Sequence, residues 1–337
     1  MRQIWITKAG PPEVLQVREA PDPQAGPGQL RVRVKAAGIN FADLMARVGL
    51  YPDAPKLPCV VGYEVAGVVD QVGPGVAGFA AGDRVLAMPK FGGYTDTLVV
   101  PAAQALPMPA AMSFEEGAAL PVVYLTAHHM MFYTGTLHPR SAVLIHSAAG
   151  GVGVAAIQLA KTRDCVILGT ASPSKHEFLR GLGCHHPIDS GADFAPAVKA
   201  ALGERGLDLV LDAVGAASWK KGYELLGPCG RLVAFGLSAA SSGKTRSIVH
   251  AVGQVLRIKR WNPIALMNDN KTITGVNLGH LFGRPDILTP QLQALIALYE
   301  AGHVKPHVDR TFRFEEAAAA HHYIHDRKAR GKVVLVA

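Results

Sequence analysis

Hydrophobic and polar positions follow two different patterns along this chain, and the change comes near Pro121. Before it, short β-branched runs alternate with Pro- and Gly-rich clusters such as Gly73-Pro74-Gly75. That alternation predicts strands joined by tight turns, in a small and largely antiparallel domain. The predicted strands cover residues 30–34, 65–72, 84–87 and 98–100.

Beyond Pro121, apolar runs alternate with segments of helical spacing. The predicted strands cover residues 142–146, 165–169, 207–212, 231–236 and 271–276, and the predicted helices cover 151–161 and 174–182. A helix over 291–301 and a strand over 332–336 follow. Strands and helices that alternate at this spacing form a doubly wound parallel sheet. The sequence therefore predicts an α/β fold, with a parallel-sheet domain beside a mainly β domain.

The composition is that of a compact chain of two domains. Its 337 residues are 49% apolar and only 18% charged, which excludes a disordered or coiled-coil protein. Two stretches without charged residues, 117–139 and 141–160, contain proline or several glycines, so we interpret them as buried core rather than membrane helices. The four cysteines form no CxxC pair, and residues 1–10 contain no apolar leader segment. We therefore expect a soluble, cytoplasmic protein.

The strongest chemical signal is a glycine turn between the predicted strand 142–146 and the predicted helix 151–161. Glycines let the backbone approach a pyrophosphate, whose charge is stabilised at the N-terminus of the helix. Ala148 occupies the first glycine position of a GxGxxG pattern, and the strand–turn–helix context supports a dinucleotide site over a turn without a ligand. The residues predicted to bind the pyrophosphate are Ala149, Gly150, Gly151, Val152 and Gly153.

The end of the second predicted strand favours NADPH over NADH. NAD-dependent enzymes usually carry an acidic residue there, which bonds the ribose hydroxyls. This chain has no acid between Gly169 and Lys175. We expect the 2′-phosphate to contact this segment at Ser172, Ser174 and Lys175, and we expect Thr170 to be a further cofactor contact. The alternative is that Lys175 is only a solvated residue at the start of a helix.

Motifs along the whole chain resemble the medium-chain dehydrogenases/reductases, in the zinc-independent quinone oxidoreductase (zeta-crystallin-like) branch. They lie, in order, at residues 38–43, 49–51, 62–69, 82–85, 125–127, 148–153 and 331–335. Segments 169–177 and 302–307 are further similar to the vesicle amine transport protein branch of that family. The resemblance implies a GroES-like substrate domain formed by residues 1–121 and 279–337. A Rossmann domain over residues 122–278 is inserted between these two segments.

The resemblance also implies a site that works without metal. Asn40 stands at the position where the zinc members have a cysteine ligand, and Tyr63 replaces the histidine of their GHE motif. The four-cysteine structural zinc loop is missing as well. Adjacent histidine pairs such as His128-His129 point in different directions on a helix and are poor chelates. We therefore predict no metal site and no zinc.

Without a metal, hydrogen-bond donors must orient the substrate carbonyl and stabilise the charge that hydride transfer leaves on its oxygen. The donor candidates are Asn40, Tyr51, Tyr63 and Tyr124. The resemblance ranks Tyr51 highest, because a tyrosine at this GxYP position acts as proton donor or orienter in related enoyl-thioester reductases. It also assigns Thr126 to the nicotinamide side of the site. The remaining cofactor contacts that we expect are Phe235, Gly236, Asn277 and Lys332.

These observations predict an NAD(P)H-dependent reductase of a quinone or of the activated double bond of an enone. The alternatives are an enoyl-CoA reductase and, in a different class, a redox-silent binding protein on the same fold. NADH remains an alternative cofactor, because Ser190 stands where the family often has a tyrosine that flanks the adenosine phosphate. We also expect a homodimer joined through the strand near residues 272–276, which would cover an open sheet edge.

The basic residues cluster in one segment. Residues 225–268 contain no Asp or Glu but carry +6 of the net charge of +8, and residues 247–258 have the spacing of a helix. By resemblance this segment lies beside the cofactor cleft, where Arg257, Lys259 and Arg260 would bind the phosphates of a CoA thioester. The alternatives are a solvated basic helix and a nucleic-acid site. The last is disfavoured because little aromatic surface beyond Trp261 accompanies the charges.

Overall fold

The computed structural model describes residues 1–240, 248–258 and 261–337. The strands in these ranges are β1 (Arg2–Ile6), β2 (Leu15–Glu19), β3 (Gln29–Gly38), β4 (Cys59–Val60), β5 (Val65–Val72), β6 (Arg84–Ala87), β7 (Thr97–Pro101), β8 (Ala105–Pro107), β9 (Ala142–Ile145), β10 (Val166–Ala171), β11 (His186–Asp189), β12 (Leu207–Asp212), β13 (Leu226–Ala234), β14 (Thr272–Gly275), β15 (Val308–Arg313) and β16 (Lys332–Val336). The helices are α1 (Phe41–Arg47), α2 (Phe114–Ala119), α3 (Pro121–His128), α4 (Gly151–Lys161), α5 (His176–Leu182), α6 (Phe194–Leu202), α7 (Ala217–Glu224), α8 (Ile248–Leu256), α9 (Pro263–Asp269), α10 (Pro285–Glu300) and α11 (Ala317–His325).

The mainly β domain is built around β3. Residues in its first half alternate between buried and half-buried, which is the period of a strand with one face in the core. The sheet has the order β15-β16-β3-β5-β6-β8, and β7 also pairs with β3. β16, from the far end of the chain, pairs antiparallel with β3 and parallel with β15. The last strand of the chain therefore completes the sheet that the first hundred residues begin.

The second domain contains a six-stranded parallel sheet with the order β11-β10-β9-β12-β13-β14. All four residues of β9 are buried, as expected for a strand that is covered on both faces. The strand order changes direction between β9 and β12, and ligands of such sheets bind in the crevice at this point, beyond the carboxyl ends of the strands. The predicted combination of a Rossmann-type parallel sheet and a mainly β domain is confirmed, whereas the domain boundaries stay a prediction.

Several element boundaries differ from the sequence prediction, mostly at prolines. α10 begins at Pro285 rather than near residue 291, because Pro290 lies inside the helix, where the sequence pattern indicated a helix start. α5 begins at His176, after a 3-10 turn that Pro173 opens. β13 begins at Leu226, five residues before the predicted strand, because Pro228 and Gly230 interrupt its apolar pattern.

α8 confirms the helix predicted over residues 247–258, with slightly narrower bounds. Arg257 is exposed just beyond its end. Lys259 and Arg260 lie outside the described residues. β14 is at the edge of its sheet, where the predicted dimer contact requires it, and the dimer itself stays a prediction. None of the described helices combines the length and apolar character that a membrane crossing needs.

The close packing of Gly153 against the glycine turn leads to a stability prediction. A Cβ atom on Gly153 would lie 2.5 Å from the backbone of Ala148, whereas a Cβ on Gly181 in α5 would meet nothing within 4 Å. We expect Gly153→Ala to lower the free energy of unfolding by about 1–3 kcal/mol, as overpacking does. We expect Gly181→Ala to raise it by about 0.4–1 kcal/mol, because alanine restricts the unfolded chain. Urea denaturation measures both, and equal stability of the two variants would contradict the prediction.

Candidate functional site

The glycine turn lies at the crevice and opens α4. Gly150 is the N-cap, and the first intrahelical hydrogen bond runs from the N–H of Val154 to the carbonyl of Gly150 (2.9 Å). The N–H groups of Gly151, Val152 and Gly153 precede that bond, so they have no intrahelical acceptor. Such N–H groups at the positive end of a helix dipole fit a pyrophosphate. The predicted pyrophosphate residues therefore form one continuous turn at the N-terminus of α4, which we call the pyrophosphate cradle.

The other predicted cofactor residues reach the same edge of the sheet. Thr170 lies near the end of β10 and Ser172 follows that strand, Phe235 and Gly236 follow β13, and Asn277 follows β14. Thr170 differs from the expectation, since it is only 4% exposed and its Oγ1 accepts the N–H of Ser147 (3.2 Å). Its hydroxyl supports the glycine turn from within the domain, so we reassign it from cofactor contact to support of the turn.

Around Lys175 the structure adds a basic residue that the sequence analysis missed. The guanidinium of Arg330 donates to the carbonyl of Ser174 (3.4 Å), and the hydroxyls of Ser172 and Ser174 are 3.2 Å apart. The ammonium of Lys175 donates to the carbonyl of Ala329 (2.6 Å), and burial lowers its pKa. Arg330 comes from the segment before β16, so no local pattern near residue 175 could have indicated it. Two cations therefore flank the two serines.

A buried polar cluster also lies beneath the turn, formed by His146, Asp212 and Ser218. Asp212 accepts the N–H groups of Val214 (2.7 Å) and Gly215 (3.1 Å). The hydroxyl of Ser218 donates to Asp212 and is 3.5 Å from His146, whose pKa is lowered by burial. A nucleophilic serine would instead donate to the histidine. The cluster therefore supports the turn and the loop after β12, although it contains the residue types of a catalytic triad.

On the substrate side, a buried ion pair lies in the mainly β domain, next to the start of α3. The ammonium of Lys332 is 2.5 Å from the carboxylate of Glu64 and donates to Oδ1 of Asn40 (2.7 Å). Glu64 also accepts from Nδ2 of Asn40 (2.8 Å) and from the N–H of Val122 (2.7 Å) at the start of α3. One residue before Lys332, the N–H of Gly331 donates to the carbonyl of Ala149 in the glycine turn (2.8 Å).

Two predicted roles change because of this arrangement. The polar atoms of Asn40 are engaged by Lys332 and Glu64, so Asn40 is a positioning residue rather than the donor to substrate that the sequence suggested. Lys332 was expected at the cofactor, but its ammonium is directed to Glu64, and only its aliphatic stem approaches Gly151. Glu64 was missed, because a buried acid gives no signal in a sequence until its partner is known.

The side chain of Asp43 holds the two loops on either side of this pair. Its carboxylate accepts the N–H groups of Asn40 (2.8 Å) and Gly62 (3.0 Å). Burial raises the pKa of Asp43 to about 7, against the lowering effect of these hydrogen bonds. The buried side chain of Tyr94 interacts with Asp43 and is 3.3 Å from Nε2 of His321. These contacts fix the backbone immediately before Tyr63.

Tyr63 lies in a group of aromatic rings that we call the aromatic cleft. Its ring centroid is 6.4 Å from that of Tyr51, 5.2 Å from Phe91 and 6.3 Å from Phe282. The hydroxyl of Tyr63 is buried and makes no hydrogen bond of normal geometry among the described residues, although the hydroxyl of Tyr51 is close enough to affect its pKa. Burial raises the pKa of Tyr63, and also that of Tyr51. A buried donor without an acceptor is costly, so this hydroxyl marks the place where an acceptor oxygen would bind.

Two further candidates have defined positions. Tyr124 is 1% exposed, and its hydroxyl donates to Gln158 (3.0 Å) and to the carbonyl of Lys305 (3.0 Å). Because these groups occupy the hydroxyl, the structure favours a packing role for Tyr124 over the predicted contact with substrate. The hydroxyl of Thr126 donates to the carbonyl of Val122 (2.6 Å), one turn back on α3.

The residues at the zinc-ligand positions do not fit a metal. No group of three or more His, Cys, Asp or Glu side chains in the described parts of the chain is placed to hold an ion. Asn40 contacts an ammonium instead of a divalent cation, and Tyr63 offers a neutral phenol with a raised pKa. The absence of zinc stays a prediction.

The buried pair leads to a second stability prediction. We expect Lys332→Met to lower the free energy of unfolding by about 3–5 kcal/mol, because Glu64 would remain buried without a counter-ion. Adding Glu64→Gln to this variant should restore part of the loss. Lys305→Met is the control, since Lys305 is exposed and its 3.8 Å pair with Glu116 should contribute less than about 1 kcal/mol. The prediction would be contradicted if chemical denaturation gave Lys332→Met a loss in the free energy of unfolding as small as that of the control.

Comparisons with known proteins agree with this architecture. The profile described as alcohol dehydrogenase GroES-like domain matches residues 26–110, and the profile described as zinc-binding dehydrogenase matches residues 182–335. The chain is 43% identical over 329 residues to the synaptic vesicle membrane protein VAT-1 homolog of Homo sapiens, an alignment that covers 96% of this chain and 82% of that protein.

Two solved structures are similar over nearly the whole chain. Quinone oxidoreductase of Escherichia coli, solved as a complex with NADPH, has a TM-score of 0.88 and 31% identity, with all of both chains covered. CurK enoyl reductase has a TM-score of 0.86 and 26% identity, covering 99% of this chain and 98% of that one. This chain therefore belongs to the medium-chain dehydrogenase/reductase family of oxidoreductases, in its zinc-independent quinone oxidoreductase-like branch.

Proposed function

We propose that this protein is an NAD(P)H-dependent reductase that acts, without a metal, on the activated double bond of an α,β-unsaturated carbonyl or on a quinone. The observation that carries the proposal is the buried hydroxyl of Tyr63, which lacks a partner among the described residues in the aromatic cleft. Reduction of such an acceptor places negative charge on its oxygen, and a preorganised donor stabilises that charge. The likeness to a quinone oxidoreductase and to an enoyl reductase supports this reaction class.

The residues of the crevice suit a nicotinamide dinucleotide. The glycine turn offers three N–H groups to a pyrophosphate, and a Cβ at Gly153 would fill the close approach between α4 and the turn. Phe235, Gly236 and Asn277 line the same edge of the sheet. When bound, the reduced dinucleotide supplies the hydride. The protein binds and orients the acceptor and provides the hydrogen bond to its oxygen.

On the substrate side, we assign the hydrogen bond to the acceptor oxygen to Tyr63. Tyr51 is half-buried beside it, with the ring centroids 6.4 Å apart, and we assign to its hydroxyl the role of passing a proton toward Tyr63. The sequence ranked Tyr51 first, and we rank Tyr63 above it because its buried hydroxyl makes no hydrogen bond of normal geometry among the described residues. The hydroxyl of Thr126 is bonded to the carbonyl of Val122 within α3, and we keep Thr126 assigned to the nicotinamide side of the site. Lys332 holds a fixed positive charge near the zinc-ligand position of Asn40.

We further propose that NADPH is the preferred cofactor and that NADH is an alternative. Lys175 and Arg330 flank Ser172 and Ser174, which provides charge and hydroxyl groups for a 2′-phosphate. The segment between β10 and α5 contains no acid that would repel this phosphate. The related quinone oxidoreductase of Escherichia coli was solved with NADPH, which agrees with this choice.

The tyrosine assignment can be tested kinetically. We expect Tyr63→Phe to lower kcat by about 100-fold with a smaller change in KM, because the hydrogen bond acts mainly in the transition state. Its thermal stability should not fall, since the lost hydroxyl had no partner among the described residues. Oxidation of NADPH at 340 nm, with 1,4-benzoquinone, 2-cyclohexenone and crotonyl-CoA in parallel, measures the rates and identifies the acceptor class.

Tyr51→Phe is the matched comparison for this test, since both rings lie in the aromatic cleft. We expect it to lower kcat less than Tyr63→Phe does. Full turnover in Tyr63→Phe would remove the catalytic role proposed for Tyr63. If no acceptor is reduced by the unmodified protein although the dinucleotide binds, the redox-silent binding protein would replace the reductase.

The cofactor preference can be tested by binding. Lys175→Ala and Arg330→Ala should each weaken NADPH binding by about 10- to 100-fold, as expected for the loss of a hydrogen bond to a charged group. Neither variant should change NADH affinity by more than about threefold. Lys199→Ala, which removes an exposed lysine from α6, is the control for a general change in charge. Fluorescence titration measures each affinity, and equal losses for NADPH and NADH would refute the assignment.

A further inference from the structure

Two cavities meet at Phe282, beside the aromatic cleft. The outer one has a volume of about 530 Å³ and is lined by polar groups, including Lys90, Gln104 and His280. The inner one, which we call the inner slot, has a volume of only about 20 Å³. A volume of this size holds one water-sized group. Phe282 and Gln104 line both cavities, so the two spaces are neighbours.

The walls of the inner slot are mostly apolar and come from both parts of the chain. Met88 and Leu106 lie on the side of β6 and β8, and Leu288 and Leu292 lie on α10. All four side chains are buried, with exposures between 0% and 7%. A space between two such walls suits an alkyl group, because a polar group would lose its hydrogen bonds to water there.

The ring of Phe282 lines this slot and also contacts Tyr63. It is 7% exposed and packs against Tyr63 edge-on, with an interplanar angle of 65° and a centroid distance of 6.3 Å. The same ring therefore forms one wall of the aromatic cleft and the end of the inner slot. Removing it would join the cleft to the space between the β domain and α10.

We propose that Phe282 determines acceptor specificity by closing the inner slot to the alkyl tail of the substrate. The inference rests on the proposed reductase function and adds to it the class of acceptor, namely compact enones, enals and quinones without a long linear tail on this side. An acceptor held at Tyr63 would extend its distal substituent toward Phe282, where the ring leaves room for only a small group. A smaller residue at this position would allow several methylene groups to enter.

The matched control is Phe91. Its ring also packs against Tyr63, at 5.2 Å, but Phe91 does not line the inner slot. Phe91→Ala therefore removes a similar ring from the cleft without opening the slot. Phe282→Leu, which keeps most of the volume, serves as a second variant if Phe282→Ala folds poorly, and circular dichroism and the Tm check folding in each case.

The test compares trans-2-pentenal with trans-2-decenal as acceptors. We expect the unmodified protein to gain nothing in kcat/KM from the longer tail. We expect Phe282→Ala to raise the decenal-to-pentenal ratio of kcat/KM at least tenfold, since each newly buried methylene group contributes about fourfold. Phe282→Leu should raise the ratio by a smaller factor, and Phe91→Ala should leave it within threefold. A ratio that is unchanged in both Phe282 variants, or that rises equally in Phe91→Ala, would overturn the proposal.

A binding measurement separates this inference from the reductase function. The saturated ketones 2-pentanone and 2-undecanone need no turnover, and calorimetric titration gives their affinities for each variant. We expect Phe282→Ala to gain at least tenfold for 2-undecanone relative to 2-pentanone. If neither the enals nor 1,4-benzoquinone is reduced but this gain is observed, the slot assignment holds and the reductase function fails. If the enals are reduced and neither ratio changes, the reductase function holds and the role of Phe282 is refuted.

Discussion

The buried ion pair between Lys332 and Glu64 is the constraint on which the arrangement of this site depends. Both side chains are at most 3% exposed, and their charged atoms are 2.5 Å apart. A pair removed from water in this way is tolerated only when its remaining polar atoms are satisfied. Asn40 and the N–H of Val122 meet that requirement. Because these groups belong to four separate segments, the pair fixes those segments relative to one another.

The segment that carries Lys332 also supports the cofactor crevice. The N–H of Gly331 donates to the carbonyl of Ala149 in the glycine turn. The next residue, Lys332, pairs with Glu64, so adjacent residues at the start of β16 contact the glycine turn and the substrate side. Arg330, one residue before Gly331, brings a cation to the serines after β10. Three consecutive residues near the C-terminus therefore couple the adenosine end of the crevice, the pyrophosphate cradle and the substrate loops.

The electrostatics of the substrate side follow from the same pairing. Glu64 is neutralised by Lys332, and the carboxylate of Asp43 is tied to two backbone N–H groups, so these acids are already engaged. The hydroxyl of Tyr63 differs from them, since it faces the aromatic cleft without a partner among the described residues. In a low-dielectric site an unpaired donor interacts strongly with an acceptor oxygen, which is the condition for stabilising developing charge.

The sequence by itself determined the fold class, the glycine turn and the aromatic candidates, because each depends on local order. An apolar strand that enters glycines and then a helix is visible within twenty residues, and α4 has the predicted bounds. The segments that contain Tyr51 and Tyr63 are likewise visible as short motifs, at residues 49–51 and 62–69.

Only the tertiary structure decided which side chains have partners. Asn40, Lys332 and Tyr124 are polar residues whose atoms are engaged by groups tens to hundreds of positions away, whereas the hydroxyl of Tyr63 is left without one in the described chain. Pairing of this kind depends on distance in space, which the order of residues does not specify.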